Sequence, residues 1–334
     1  MPVMPSIRRI LVAIRTLDAH SLPAVLKAGQ LARAYRARVE IYHCLDTPLY
    51  IGLENLGDKS LAETQQDLQR SIGRRLEAIA DKIRQPGIDI TVRAEWDFPA
   101  YEAIVRRALC IEADLIIASR HVGRHHLPAL MRLTDWELVR LSPIPVLLVK
   151  DSRPYRHPAV LAAVDPTHAF AKPLRLDKQI LQLGRSMSRR LRGSLHAVHA
   201  YARVPGGSFP DTAVTPTLIE QVEKQAERTA RVAFDRVLQK SPIVRAHRYL
   251  IARDPVNAIA EAARRSRSAI VVLGAISRSG IKRVLIGNTA ERILDQLSCD
   301  VLVVKPERFR NQVPRSSRGA HLLTSLPLAS LGYL

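Results

Sequence analysis

The sequence predicts a doubly wound α/β fold built twice in tandem, and three observations carry that expectation. Residues 113–119 (ADLIIAS) align with 268–274 (SAIVVLG), 145–150 (PVLLVK) with 300–305 (DVLVVK), and Ala103 and Ile104 with Ala258 and Ile259, all at one offset of about 155 residues, as an internal repeat requires. The runs 115–118, 146–149, 270–273 and 301–304 are continuously apolar. A strand without alternation is buried on both faces, which is the mark of a parallel sheet covered by helices. Strand patterns also alternate with helical ones along each copy, the order of an α/β domain. Each copy is therefore expected to hold a mainly parallel five-stranded sheet, with residues 1–150 as the first domain, 151–306 as the second and 307–334 as a disordered tail.

Copy one opens with a strand at 9–14, a helix at about 22–35 and a strand at 39–44. A long helix follows, with Leu61, Leu68, Ile72, Leu76, Ile79 and Ile83 on one stripe. Copy two repeats this order with a strand at 160–164, a helix at 178–191 and a strand at 195–200. Its own long helix starts at Thr215 and Pro216, where a hydroxyl can cap and proline loses no needed hydrogen bond. Leu218, Val222, Ala226, Ala230, Ala233 and Val237 line one face of that helix. Asp254 and Pro255 start the next helix in the same way, and Arg264 and Arg265 end it where the dipole favours cations. The join falls at 151–157, which contains Pro154.

The composition is that of a globular chain, but its formal charge is +20 at pH 7. Such an excess attracts phosphates, acidic lipids or nucleic acid without locating a site. Arg8 and Arg9 precede only a five-residue apolar run, so no secretory leader or membrane span is expected. Cys44, Cys110 and Cys299 are odd in number and far apart, so neither a disulfide framework nor a zinc ribbon is expected, and the cytoplasm is the simplest compartment. Trp96 and Trp136 read as packing residues. His121 and His125 lack a third ligand nearby. His196 and His199, three apart on a strand, point to opposite faces and cannot share a metal. No nucleophile triad or close carboxylate pair stands out, so no enzyme of known mechanism is indicated.

The chemistry-bearing segment is 274–291 (GAISRSGIKRVLIGNTAE). It leaves a strand, passes small residues and glycines, and re-enters a helix near Asn288. Glycines let backbone amides crowd an anion, and a helix start adds free amides and partial positive charge. A nucleotide's phosphates would suit such a loop, although neither the GxxxxGK[ST] nor the GxGxxG pattern is present.

These features make the chain resemble the universal stress proteins, in their tandem two-domain E-type branch, with the adenine nucleotide α-hydrolase-like fold. The family's signature is Gly, two residues, Gly, nine residues, Gly and then Ser or Thr. Here those positions fall on Gly274, Ser277, Gly287 and Asn288, so two of the four depart, with Thr289 next door. The resemblance implies an adenine-nucleotide cleft for ATP or AMP in copy two. Gly274, Ser277, Arg278, Ser279, Gly280, Gly287, Asn288 and Thr289 would hold phosphates, Asp165 would face the adenosine end and Ala200 the adenine. It further implies a bacterial stress-response binding protein with at most slow nucleotide hydrolysis and no metal. The two domains would pack as an intramolecular pseudo-dimer through pairing of the last strands, 146–149 and 301–304, with further homo-oligomers open.

Copy one departs further. Arg15 stands where Asp165 stands in copy two, Ser119 replaces the first glycine, and no glycine occurs in 124–142. Its loop 120–126 (RHVGRHH) is basic and is followed by Leu127, Leu130 and Met131, which raises a lipid-like anionic small molecule as an alternative ligand. A nucleic-acid-associated role is the other alternative, raised by the net charge.

Overall fold

The computed structural model describes residues 6–17, 22–47, 49–50, 61–119, 130–167, 174–202, 216–275, 288–307 and 309–323. It divides into two compact units, one comprising Ile7–Leu141 with the segment from Asn311 onward, the other centred on Ser142–Arg310.

In the first unit the order is β1 (Arg9–Ile14), α1 (Leu22–Tyr35), β2 (Arg38–Leu45), β3 (Leu49–Tyr50), α2 (Leu61–Ala80), β4 (Ile90–Trp96), α3 (Ala100–Cys110), β5 (Leu115–Ser119) and α4 (Leu130–Leu141). The sheet runs β4-β2-β1-β5, and every pairing is parallel, with Ile14 opposite His43 and Val12 opposite Ile117. β1 and β5 are apolar throughout because helices cover both faces, and Leu11, Val12, Ile116 and Ile117 are fully buried. β4 is the edge strand of this order. Its exposed and buried residues are interleaved, which is why it lacks an unbroken apolar run.

The second unit contains β6 (Val146–Val149), β7 (Ala159–Ala163), α5 (Leu174–Arg190), β8 (Ser194–Tyr201), α6 (Pro216–Leu238), β9 (Arg248–Ala252), α7 (Pro255–Arg265), β10 (Ile270–Gly274), α8 (Asn288–Gln296) and β11 (Asp300–Val304). Its sheet runs β6-β11-β10-β7-β8-β9, parallel except at β6. Each copy thus supplies five main strands, as expected. β6 pairs antiparallel with β11, placing Leu147 opposite Leu302, so the anticipated pairing of last strands is present.

The sequence puts the division at 150/151. By packing, β6 and the join group with the second compact unit. The cause is Asp300, fully buried at the start of β11. It accepts the backbone amides of Lys150 at 2.8 Å and Asp151 at 3.1 Å and the Tyr155 hydroxyl at 2.6 Å. The Lys150 ammonium adds hydrogen bonds to the carbonyls of Leu294 and Leu297.

The expectation of a disordered tail is corrected for 311–323, which packs on copy one. Leu322 and Leu323 pair in parallel with Leu49 and Tyr50, forming β12 (Leu322–Leu323). The Arg318 amide donates to Asp97 at 2.9 Å, its guanidinium grips Glu102 at 2.9 Å, and His321 stacks on Phe98 at 4.5 Å. Arg318, in a stretch expected to be disordered, thus meets buried Asp97 through its amide and partly exposed Glu102 through its guanidinium. Residues 324–334 lie outside the described residues.

Two further expectations shift. α5 begins at Leu174, earlier than 178. The stripes of the two long helices are buried only in part. Leu76 and Ile79 are in the core, and so is Ala230, but Leu68, Leu218 and Val222 are exposed. A helical stripe shows which residues share a face, not how far the sheet beneath it extends.

Candidate functional site

In an open α/β sheet, ligands meet loops beyond the carboxyl ends of the strands. In copy two those ends belong to β7, β8 and β10. Asp165 follows β7 by two residues and is half-buried. Its amide donates to Asp177 at 3.1 Å, and its carboxylate accepts the Thr167 hydroxyl at 3.1 Å. Ala200 is half-buried on β8, opposite Ile251.

Gly274 ends β10, opposite Val304. A Cβ there would lie 2.7 Å from Leu176 Cδ2 and 3.2 Å from Ile180 Cδ1. The absent side chain therefore admits α5 against the sheet, a packing reason that the loop reading of this glycine did not foresee. Ser277, Arg278, Ser279, Gly280 and Gly287 lie outside the described residues. Asn288 and Thr289 are the first residues of α8, so the helix restarts where the sequence places it, with the unpaired amides of a helix N-terminus. Asp254 caps α7 by accepting the Asn257 amide at 3.2 Å, as read from the sequence.

The corresponding end of copy one is a cleft lined by Ile14, Arg15, Cys44, Asp46, Ile104, Ser119, Asp135 and Leu138, among others. Ser119 Oγ is buried and has no hydrogen-bond partner among the described residues. The Cys44 thiol donates to the Asp97 carbonyl at 2.9 Å, and burial, reinforced by Asp46 and Asp97, drives its pKa far above the thiol range, so it is not a ready nucleophile. His121 and His125 lie outside the described residues. Among the described residues, no group of three His, Cys, Asp or Glu side chains is placed to hold a metal ion, and no helix is long and apolar enough to cross a membrane.

One matched pair escaped the sequence reading. His43 in β2 and His199 in β8 sit at equivalent strand positions. Each turns Nδ1 to a carbonyl at the end of the first strand of its copy, that of Ile14, the last residue of β1, at 2.9 Å and that of Val164, just past β7, at 3.3 Å. A carbonyl only accepts, so Nδ1 carries the proton in both. Burial lowers the His43 pKa, in keeping with a neutral ring. The signal was present in the sequence as a histidine third from the end of the second strand of each copy. His196, on the opposite face of β8, stacks on His247 at 3.9 Å, whereas His199 meets Phe234. The two histidines have separate surroundings, as their spacing required.

Two α/β copies with strand orders β4-β2-β1-β5 and β11-β10-β7-β8-β9 define a tandem α/β fold. The universal stress protein family profile matches residues 6–150 and 160–305, and the chain belongs to that family, as a tandem of two such domains. It is similar to universal stress protein E of Escherichia coli K12, 29% identical over 233 residues that cover 68% of this chain and 72% of the relative. It is also similar to the universal stress protein E homolog of Haemophilus influenzae, 26% identical over 255 residues covering 76% and 82%. Among solved structures, a functionally unknown protein of Pseudomonas aeruginosa PAO1 shares the fold at TM-score 0.65 and 23% identity over 92% of this chain and 95% of that one. A universal stress protein of Archaeoglobus fulgidus does so at TM-score 0.57 and 15% identity over 89% and 96%.

Proposed function

We propose that the chain is a cytoplasmic, non-catalytic ligand-binding factor of the stress response, and that copy two retains a weakened adenine-nucleotide cleft. The observation that carries this reading is the convergence of Asp165, Ala200 and the carboxyl end of β10 on one end of the copy-two sheet, with α8 restarting at Asn288 to offer free amides to phosphate. In this reading Asp165 accepts a ribose hydroxyl or an adenine amino group, and the segment 277–289 holds the phosphates. Ser277 and Asn288, at two signature positions, weaken the grip. For copy one, Asp46 and Asp135 line the cleft beside Arg15, which weighs against a lipid-like anion there.

Calorimetry with ATP tests the proposal. Loss of a hydrogen bond to a charged group costs about 1.5–3 kcal/mol, so Asp165→Ala should weaken binding roughly tenfold to a hundredfold. Gly287→Val should do so by blocking amide approach, and Ser277→Gly should strengthen binding. Equal ATP affinity in the parent, Asp165→Ala and Gly287→Val proteins would refute the site.

A further inference from the structure

The opposite end of the copy-two sheet carries an unneutralised row of arginines. β9, β8, β7 and β10 are consecutive neighbours, and the turns that lead into them bring Arg245, Arg192, Arg156 and Arg267 to one rim. The juxtaposition is fixed by backbone contacts: Ser194 N donates to Pro158 O at 3.1 Å, Ala269 N to Ala159 O at 2.9 Å, and the His157 ring meets Arg192 O at 2.9 Å. With neighbouring strands roughly 4.8 Å apart, four such positions span about 15 Å. All four arginines are exposed, and among the described residues none forms a salt bridge. The carboxylate nearest in sequence, Asp151, is engaged by Arg153 at 2.7 Å.

Two observations bear on this rim. Arg192 and Arg267 follow helices in the left-handed region, at φ 56 and 48°, where glycine is the favoured residue. A long cation is held there at a conformational cost, twice on this rim and once, at Arg36, on that of copy one. The equivalent rim of copy one carries carboxylates that the copy-two rim lacks, although Arg36, at the position of Arg192, is exposed and in no salt bridge among the described residues. Glu112, at φ 52°, occupies the position of Arg267 and pairs with Arg9 at 2.7 Å. Asp114, at the position of Ala269, accepts the amides of Arg8 and Arg9 at 2.7 and 3.0 Å. Arg38 faces Asp89 at 3.3 Å. The copies share the backbone and differ in charge at this edge.

We propose that the rim formed by Arg156, Arg192, Arg245 and Arg267 docks on the phosphate backbone of double-stranded nucleic acid. A duplex strand carries a phosphate about every 3.4 Å along the axis, so a row of about 15 Å faces roughly four. Guanidinium forks match phosphate oxygens in pairs. Among the described residues the rim has no exposed Phe, Tyr or Trp for stacking on single strands, and the exposed His157 ring is held against Arg192 O; Val244 is its one large exposed apolar residue among those described, too little to anchor in a bilayer. Binding of this kind positions the protein without reading sequence.

The test is fluorescence anisotropy of the full chain with a labelled duplex DNA of about 20 base pairs, titrated from roughly 50 to 200 mM salt. Four neutralised phosphates predict a slope of log affinity on log salt near −3.6. The Arg192→Gly/Arg267→Gly double variant should weaken binding at least tenfold at low salt and reduce the slope by about 1.8. Glycine suits both backbone positions, so the melting temperature of this variant should hold or rise while affinity falls. The charge-matched Arg36→Gly/Arg74→Ala variant in copy one should bind as the parent does. Equal weakening in both variants, no measurable DNA binding by the parent, or capture by phosphatidylserine vesicles without DNA binding would each overturn the proposal.

Discussion

Replacing Asp97 with asparagine should both destabilise copy one and release the carboxyl-terminal segment. Asp97 and Arg106 are buried, with side-chain exposures of 6% and 7%. The carboxylate receives four hydrogen bonds: Arg106 Nε and Nη2 at 2.8 Å each, the Phe98 amide at 2.8 Å and the Arg318 amide at 2.9 Å. Burial disfavours the charge on Arg106, and hydrogen bonds to Asp97 and Glu102 outweigh that and raise its pKa. Asparagine removes the charge and, if its oxygen keeps the two amides, turns an NH2 group toward Arg106 Nε, donor against donor. Breaking a buried pair by removing one partner costs about 3–5 kcal/mol. Glu102, 3.0 Å from Arg106 Nη1, keeps the guanidinium partly compensated, so the cost should lie near 3 kcal/mol. By contrast, Arg318 is 45% exposed, and Arg318→Ala, which keeps its backbone amide, should cost less than about 1 kcal/mol. Urea denaturation gives the two energies, and hydrogen exchange reports whether the amides of Arg318 and Leu323 lose protection in Asp97→Asn. A cost below about 1 kcal/mol for Asp97→Asn, or unchanged protection of both amides, would refute this account of the network.

Two further outcomes follow from named contacts. His196 is 6% exposed and stacks on His247; burial first, then the His247 charge, pushes its pKa down to about 4. The unfolded chain takes up this proton near pH 6.5 and the folded chain only near 4, so stability should fall as pH drops through that window, by about 1–3 kcal/mol after allowance for residual solvation. Urea midpoints at several pH values should show the fall in the parent and a flatter profile in His196→Leu. A Cβ on Gly193 would lie 1.9 Å from the Pro158 carbonyl oxygen, so Gly193→Ala should force β7 and β8 apart at their amino ends. Its cost should exceed about 3 kcal/mol in thermal denaturation, and a near-neutral result would mean that the two turns separate freely.

The duplication, the α/β class, the buried parallel strands and the start of α7 at Asp254 and Pro255 were legible in the sequence, because they rest on local patterns: a constant offset, unbroken apolar runs and a cap before proline. The position of Asp165 after β7 and the restart of the chain as α8 at Asn288 followed from the same reading together with family resemblance. What joins residues far apart in the chain was decided only by the tertiary structure. Asp300 draws β6 and the join into the copy-two unit because a buried carboxylate must find donors, and Lys150, Asp151 and Tyr155, about 150 positions earlier, supply them. Asp97 and Glu102 hold a segment that looks like a solvated tail in sequence, since its arginine finds two carboxylates more than 200 residues upstream. Gly274 reads as a phosphate-loop glycine in sequence and proves to be a contact point for Leu176 in space. The net charge of +20 was plain from composition. Its concentration on one rim, as four arginines that form no salt bridge among the described residues, depends on which turns the parallel sheet sets side by side.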